Sequence, residues 1–280
     1  MLELSGHTCF GGEQLRFQHR SRVLDCSMRF SVYLPPQAQS GKVPAMIWLS
    51  GFTCSDENFV HKAGAQQFAA KHGIALVVPD TSPRGEQIHK GDEPTWHLGE
   101  GASFYLNATE APWAPNYQMA SYICDELPGL IADLPVDNAR LGVAGHGMGG
   151  HGAIVLGLSY PQLFRSISAF APICNPAKTP WGETAFRHYL GADKAHWQNH
   201  DSCWLVANGD CRTPLLVDQG GDDHFLEDEL KPERLQAACA EAGHPLNYQL
   251  HPGYDHSYFF VASFIESHIA YHAGELTQPG

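Results

Sequence analysis

The chain is predicted to fold as an α/β domain, with a mostly parallel central sheet covered by helices on both faces. Three observations carry that expectation. Solid apolar runs at 45–49, 74–78, 141–144, 166–170 and 215–217 read as strands buried on both faces. Helix-like stretches alternate with them, near 62–72, 117–134, 151–158, 231–242 and 257–273, the pattern of a doubly wound sheet. Ahead of the first run, 15–19 and 28–34 alternate apolar with polar residues, as antiparallel strands with one wet face do.

No repeat, low-complexity tract or linker divides the 280 residues, so one domain, 1–280, is expected to account for the chain. It is long enough to bury a large core, and 43% hydrophobic with 17% charged residues is a globular composition. A net charge of −13 argues against nucleic acid as a partner, because phosphate binding needs a basic face. The first residues carry neither a basic patch nor an apolar stretch, and the apolar runs are too short for a bilayer. No leader and no membrane partner are therefore expected. Eight scattered cysteines then read as reduced thiols in a cytoplasmic protein. The 17 histidines make no metal-ligand spacing and no Cys-x-x-Cys occurs, so no metal is expected. The stretch 81–116 resists assignment: it holds Pro83, Gly85, Gly91, Pro94, Gly99, Gly101, Pro112 and Pro115, with Trp96 and Trp113. A loop this long in a compact domain is usually functional, and it is read as a pocket rim.

The chemistry is signalled at Gly145-His146-Gly147-Met148-Gly149. The nucleophile elbow is Gly-x-Ser-x-Gly, a strand, a sharp turn and a helix with serine at the apex. Here Gly145 and Gly149 flank the turn, an apolar strand precedes it, and the apex is Gly147. With antiparallel strands leading into a parallel sheet, the fold expected is the α/β-hydrolase. In that fold an acid and a histidine follow the nucleophile in order. The acid has three candidates at the end of the 215–217 strand, Asp218, Asp222 and Asp223, and any of them could instead bond a turn or cap a helix. The histidine candidate is His256, in the turn Gly253-Tyr254-Asp255-His256-Ser257. Two backbone N–H groups must meet the oxyanion. One belongs to Met148, after the apex, and the other to Phe52, where Gly51 lets the loop after 45–49 approach closely.

These residues reach a resemblance. The chain resembles the S-formylglutathione hydrolases, the esterase D family, from Cys9-Phe10-Gly11-Gly12 to Phe264-Ile265. The specific stretches are Trp48-Leu49-Ser50-Gly51-Phe52-Thr53-Cys54, Pro79-Asp80-Thr81-Ser82-Pro83-Arg84-Gly85, Phe104-Tyr105-Leu106-Asn107-Ala108-Thr109 and Met148-Gly149-Gly150-His151-Gly152-Ala153. Ser168-Ala169-Phe170-Ala171-Pro172-Ile173-Cys174-Asn175-Pro176, Asp218-Gln219-Gly220, Asp222-Asp223 and Gly253-Tyr254-Asp255-His256-Ser257-Tyr258 complete them. The resemblance implies serine where Gly147 stands, Asp223 as the acid and His256 as the base. It puts the oxyanion donors at Phe52, where the family usually has leucine, and Met148. Cys54 matches a cysteine near the family's active site and is expected to be a wall or modulating residue. With Trp96 and Trp181 it is expected to line the substrate pocket. The implied reaction is hydrolysis of S-formylglutathione to formate and glutathione, the close of formaldehyde detoxification, with no cofactor. Family members are often dimers, so a homodimer is one expected state.

Gly147 has no atom that can attack a carbonyl, and losing a triad member leaves only residual catalysis from binding and the oxyanion site. The chain is expected to bind substrate and hardly turn it over. The rest of the machinery is intact, which points to replacement of a serine by glycine rather than gradual decay. The alternatives are a broad short-chain carboxylesterase and a natural pseudoenzyme binding glutathione thioesters. Arg84, Lys90 and Lys62 are candidates to grip the glutathione carboxylates, each also readable as an ordinary solvated cation.

Overall fold

The computed structural model describes residues 1–91 and 95–277; Pro94 of the 81–116 stretch lies outside the described residues. The strands are β1 Leu2–Cys9, β2 Gly12–Ser21, β3 Cys26–Leu34, β4 Val43–Leu49, β5 Ala75–Pro79, β6 Val136–His146, β7 Phe164–Phe170, β8 Leu215–Gly220 and β9 Leu246–His251. They form one sheet in the order β1-β2-β3-β5-β4-β6-β7-β8-β9. The strands β1, β2, β3 and β5 pair antiparallel, and from β5 through β4 to β9 every pairing is parallel. This is the expected architecture, and all residues of β4 and β5 are buried. No helix among the described residues is long and apolar enough to cross a membrane.

The helices are α1 Asp56–Lys62, α2 Ala65–His72, an irregular α3 running through Met119–Ser121, Tyr122–Glu126 and Leu127–Ile131, α4 Met148–Ser159, α5 Pro180–Leu190, α6 Ser202–Asn208, α7 Pro232–Ala242 and α8 Tyr258–Thr277. Three differences from the sequence reading have physical reasons. The expected helix 62–72 is two helices, because Gly64 takes a left-handed φ of 63° between them. The first of the two starts at a capping box in which Ser55 and Asn58 bond each other's backbone N–H. Edge strand β1 shows no buried alternation, since nearly all its residues face water. The 81–116 stretch is only partly a rim: Leu98, Phe104, Tyr105 and Trp113 are buried in the core.

Helix α4 is buried along its entire length save its last residue, so it lies between the sheet and other helices, as its glycines and alanines allow. On the opposite face, α8 lays His268 and His272 against β7 and β8, both fully buried. Ser166 Oγ lies 2.6 Å from His272 Nδ1, and Ser168 Oγ lies 2.8 Å from His272 Nε2 and 2.9 Å from His268 Nδ1. His268 Nε2 then faces Asp218 Oδ2 at 3.5 Å. One set of neutral tautomers serves the whole chain: Ser166 donates to His272, His272 to Ser168, and Ser168 to His268.

Burial keeps these rings uncharged. It pushes His272 down to about 3, helped by neighbouring His268, and lowers His268 as well. The same cause takes His151 to about 3 and His200 to about 4. In the unfolded chain each would take up a proton below a pH of about 6.5. Stability is therefore complete above that pH and lost as pH falls toward the folded values, by about 1.4 kcal/mol per histidine per pH unit. The urea midpoint of the chain is expected to fall steeply between pH 6.5 and 5; a flat profile across that window would contradict the neutral buried histidines.

Candidate active site

The elbow is built from backbone contacts that only glycine permits. Strand β6 ends at His146, Gly147 takes φ 58° and ψ −117°, and Met148 opens α4. Gly147 N–H donates to Phe170 O at 3.0 Å, and Gly147 O accepts from His151 N–H at 3.0 Å. A Cβ on Gly145 would stand 2.2 Å from Gly149 O, and one on Gly149 would stand 1.9 Å from Leu49 O and 2.6 Å from Ser50 O. The first turn of α4 is thus pressed directly onto the ends of β4 and β6.

The three aspartates face different partners. Asp223 Oδ2 lies 2.5 Å from His256 Nδ1, with the carboxylate buried and the imidazole 20% exposed. Phe225 N–H donates to Asp223 Oδ1 at 2.9 Å and Gln219 Nε2 to Oδ2 at 3.3 Å. Asp222 instead accepts from Gly253 N–H at 3.2 Å. Asp218 faces His251 at 3.3 Å and His268 on the α8 side of the sheet. The loops carrying Asp223 and His256 meet at Gly220, where a Cβ would stand 2.4 Å from Tyr254 O and 2.7 Å from Asp255 O. His256 Nε2 then lies 3.1 Å from the position of a Cβ on residue 147. Residues 147, 223 and 256, far apart in sequence, converge. The His146 ring packs on that of His256 at 4.4 Å; burial, reinforced by His256, holds His146 well below the ordinary imidazole range. It therefore stays neutral beside the base.

The N–H groups of Phe52 and Met148 have no acceptor among the described residues. The Met148 N–H is one of the unsatisfied donors that open every helix and point its dipole outward. The Phe52 ring meets Trp96, Phe104 and Trp181 edge-on at 5.4–5.5 Å. Trp96 also packs on Trp181 at 4.8 Å and Trp181 on Phe225 at 4.7 Å. Phe225 stands perpendicular to His256 at 5.3 Å, so an aromatic wall runs from the solvent-exposed Trp96 to the imidazole. Cys54 is half-buried with its thiol pushed up by burial, which keeps it protonated and a poor nucleophile.

The three cations proposed for the glutathione carboxylates do not stand free. Arg84 bonds both oxygens of Asp80, Glu100 and the Cys54 carbonyl. Lys90 pairs with Glu100 at 3.1 Å, and Lys62 lies over the Tyr258 ring at 5.8 Å. Arg84 is a brace for the Cys54 loop. Among the described residues no cluster of three His, Cys, Asp or Glu side chains is arranged to hold a metal ion.

This site has known relatives. Residues 21–271 match the family model described as "Putative esterase". The chain is 52% identical to the S-formylglutathione hydrolase of Mus musculus and 50% to that of Rattus norvegicus, over 97% of this chain and of each relative. The chain belongs to the S-formylglutathione hydrolase family. A solved S-formylglutathione hydrolase from Agrobacterium tumefaciens, 42% identical, superposes with a TM-score of 0.96 over 99% of this chain and 100% of that one. The sequence reading missed two residues whose rings pack on His256. Phe225 was legible only as an aromatic two residues past Asp223, and His146 only as the variable position of the elbow.

Gly149→Ala is expected to cost about 3 kcal/mol or more, because a Cβ there meets backbone that cannot yield. Gly129→Ala, in the exposed last turn of α3 with nothing within 4 Å of its Cβ, should instead stabilise by about 0.5–1 kcal/mol. Thermal melts of the two variants check the contrast; equal melting points would refute it.

Proposed function

We propose that the chain is the scaffold of a thioester hydrolase for S-formylglutathione, releasing formate and glutathione, in a form stopped at the nucleophile. The observation that carries this reading is the Asp223–His256 pair at 2.5 Å, whose Nε2 would lie 3.1 Å from a Cβ at the elbow apex. With serine at the apex, its oxygen attacks the thioester carbonyl as Nε2 takes the hydroxyl proton. The Phe52 and Met148 N–H groups receive the oxyanion. His256 returns the proton to the departing thiolate, and water releases the formyl group from the enzyme. Asp223 fixes the tautomer and steadies the imidazolium. The aromatic wall of Phe52, Trp96, Trp181 and Phe225 favours a short acyl group, and Cys54 lies in the same loop as the Phe52 donor.

Relatives about half identical over almost their whole length are named for this thioester, which supports the substrate class. Eight free thiols fit a cytoplasmic home, where thiols stay reduced. The whole chain reads as one domain, and the family resemblance supports a homodimer. Gly147 itself favours a second reading, a protein that holds glutathione thioesters without hydrolysing them.

The experiment is Gly147→Ser. Turnover of S-formylglutathione is expected to rise on the order of 10⁶-fold, the usual loss when a triad serine is removed. Stability should stay level or fall, since φ 58° with ψ −117° strains a residue bearing a Cβ by about 1–3 kcal/mol. Adding Asp223→Asn should then cut kcat by about 10⁴ through the wrong imidazole tautomer. A serine variant no faster than the parent, or one that hydrolyses simple aryl esters in preference, would count against the reading.

A further inference from the structure

We propose that the apex glycine gives this chain an activity of its own: one-step thioester cleavage, in which water or a small primary alcohol takes the part of the missing hydroxyl and His256 is its general base. The substrate class rests on the reading above; the chemistry rests on the geometry around residue 147. A Cβ at that residue would lie 3.1 Å from His256 Nε2 and 3.6 Å from Cε1, with no other heavy atom within 4 Å apart from the chain neighbours. That 3.1 Å is tight for carbon against nitrogen but is an ordinary distance for an oxygen hydrogen-bonded to it. An oxygen placed there donates its proton straight to Nε2.

The base is prepared for this. Nδ1–H is committed to Asp223 at 2.5 Å, so the lone pair sits on Nε2. Asp223 is itself held by Phe225 N–H and Gln219, and the adjoining His146 ring is neutral. The two oxyanion donors belong to the main chain and do not depend on the residue-147 side chain. For methanol the carbon occupies the Cβ position and the imidazole yields by a few tenths of an ångström.

The step balances. The incoming oxygen loses its proton to Nε2 and bonds the formyl carbon, while the carbonyl electron pair moves to the oxygen facing Phe52 and Met148. Collapse breaks the C–S bond; sulfur leaves with the electron pair and takes the proton from Nε2. Water gives formate and glutathione, methanol gives methyl formate and glutathione, and at no point is the protein acylated.

The test uses the chain as it stands, with S-formylglutathione, following thiol release together with methyl formate by NMR. Thiol release is expected at roughly 10⁵-fold above buffer, the roughly 10³-fold left by binding and the oxyanion site times about 10² from the general base, and His256→Gln should return it to roughly 10³-fold. Added methanol should raise the rate in proportion to its concentration, with methyl formate appearing in step. Intact-mass measurement during turnover should find no formyl adduct. An adduct on any side chain, or a rate indifferent to both methanol and His256→Gln, overturns the proposal. Calorimetry separates the two claims: tight binding without methanolysis sinks this inference and leaves the substrate reading standing. If S-formylglutathione does not bind, the substrate reading falls, and methanolysis of p-nitrophenyl acetate by the same chain decides the inference alone: methyl acetate formation supports it and its absence overturns it.

Discussion

The contact on which the site depends is between main chains. Leu49 O and Ser50 O occupy the space that any side chain on Gly149 would need, and Gly149 O occupies the space beside Gly145. With nothing between them, the end of β4, the end of β6 and the first turn of α4 form one block. The consequences reach the chemistry directly: the N–H groups that open α4 are held beside the loop carrying Phe52, at a separation no rotamer can alter. A matching contact at Gly220 against Tyr254 and Asp255 locks the acid loop to the histidine loop. Gly147, the start of α4, Asp223 and His256 are thus positioned by backbone packing, which is stiff because protein interiors are close-packed.

Position along the strand then separates two aspartates that lie five positions apart and both face histidines. Asp218 stands within β8 on the side covered by α8, and its partners His251 and His268 belong to β9 and α8. Asp223 lies beyond the strand's carboxyl end, where parallel sheets present their ligands, and its partner His256 is 20% exposed. The difference is one of geometry alone: a residue inside a strand serves the core, and one just past its end serves the cleft. Sequence spacing could not distinguish Asp218, Asp222 and Asp223 because all three sit in one short acidic segment.

What could be read from the residues follows from what buries them. The parallel strands announced themselves because β4 and β5 are buried throughout and apolar at every position, and β8 opens on a buried apolar run at 215–217. The edge strand β1 hid because exposure on both faces erases alternation. The elbow was legible because its constraint falls on glycines, which have few other reasons to recur at that spacing. The 81–116 stretch misled for the opposite reason. Glycines and prolines mark irregular backbone, yet irregular backbone can be core when its polar groups are bonded. Here Gly99 N–H donates to Tyr189 Oη, which in turn donates to Ala102 O, and Ala108 N–H donates to Tyr117 O. Tyr189 is distant in sequence from Gly99 and Ala102, and no local pattern announces that pairing.

Organisation of the site around Gly147 separates preorganisation from nucleophilicity. An apex at φ 58° and ψ −117° is easy for glycine and strained for serine, so a hydroxyl there is held against its own preference by its neighbours. Those neighbours are in place around the glycine: Phe170 O anchors Gly147 N–H, Asp223 pairs with His256, and α4 starts at Met148. The arrangement does not need the nucleophile to hold its shape. The strain a side chain at the apex bears is therefore imposed by a frame that exists without it.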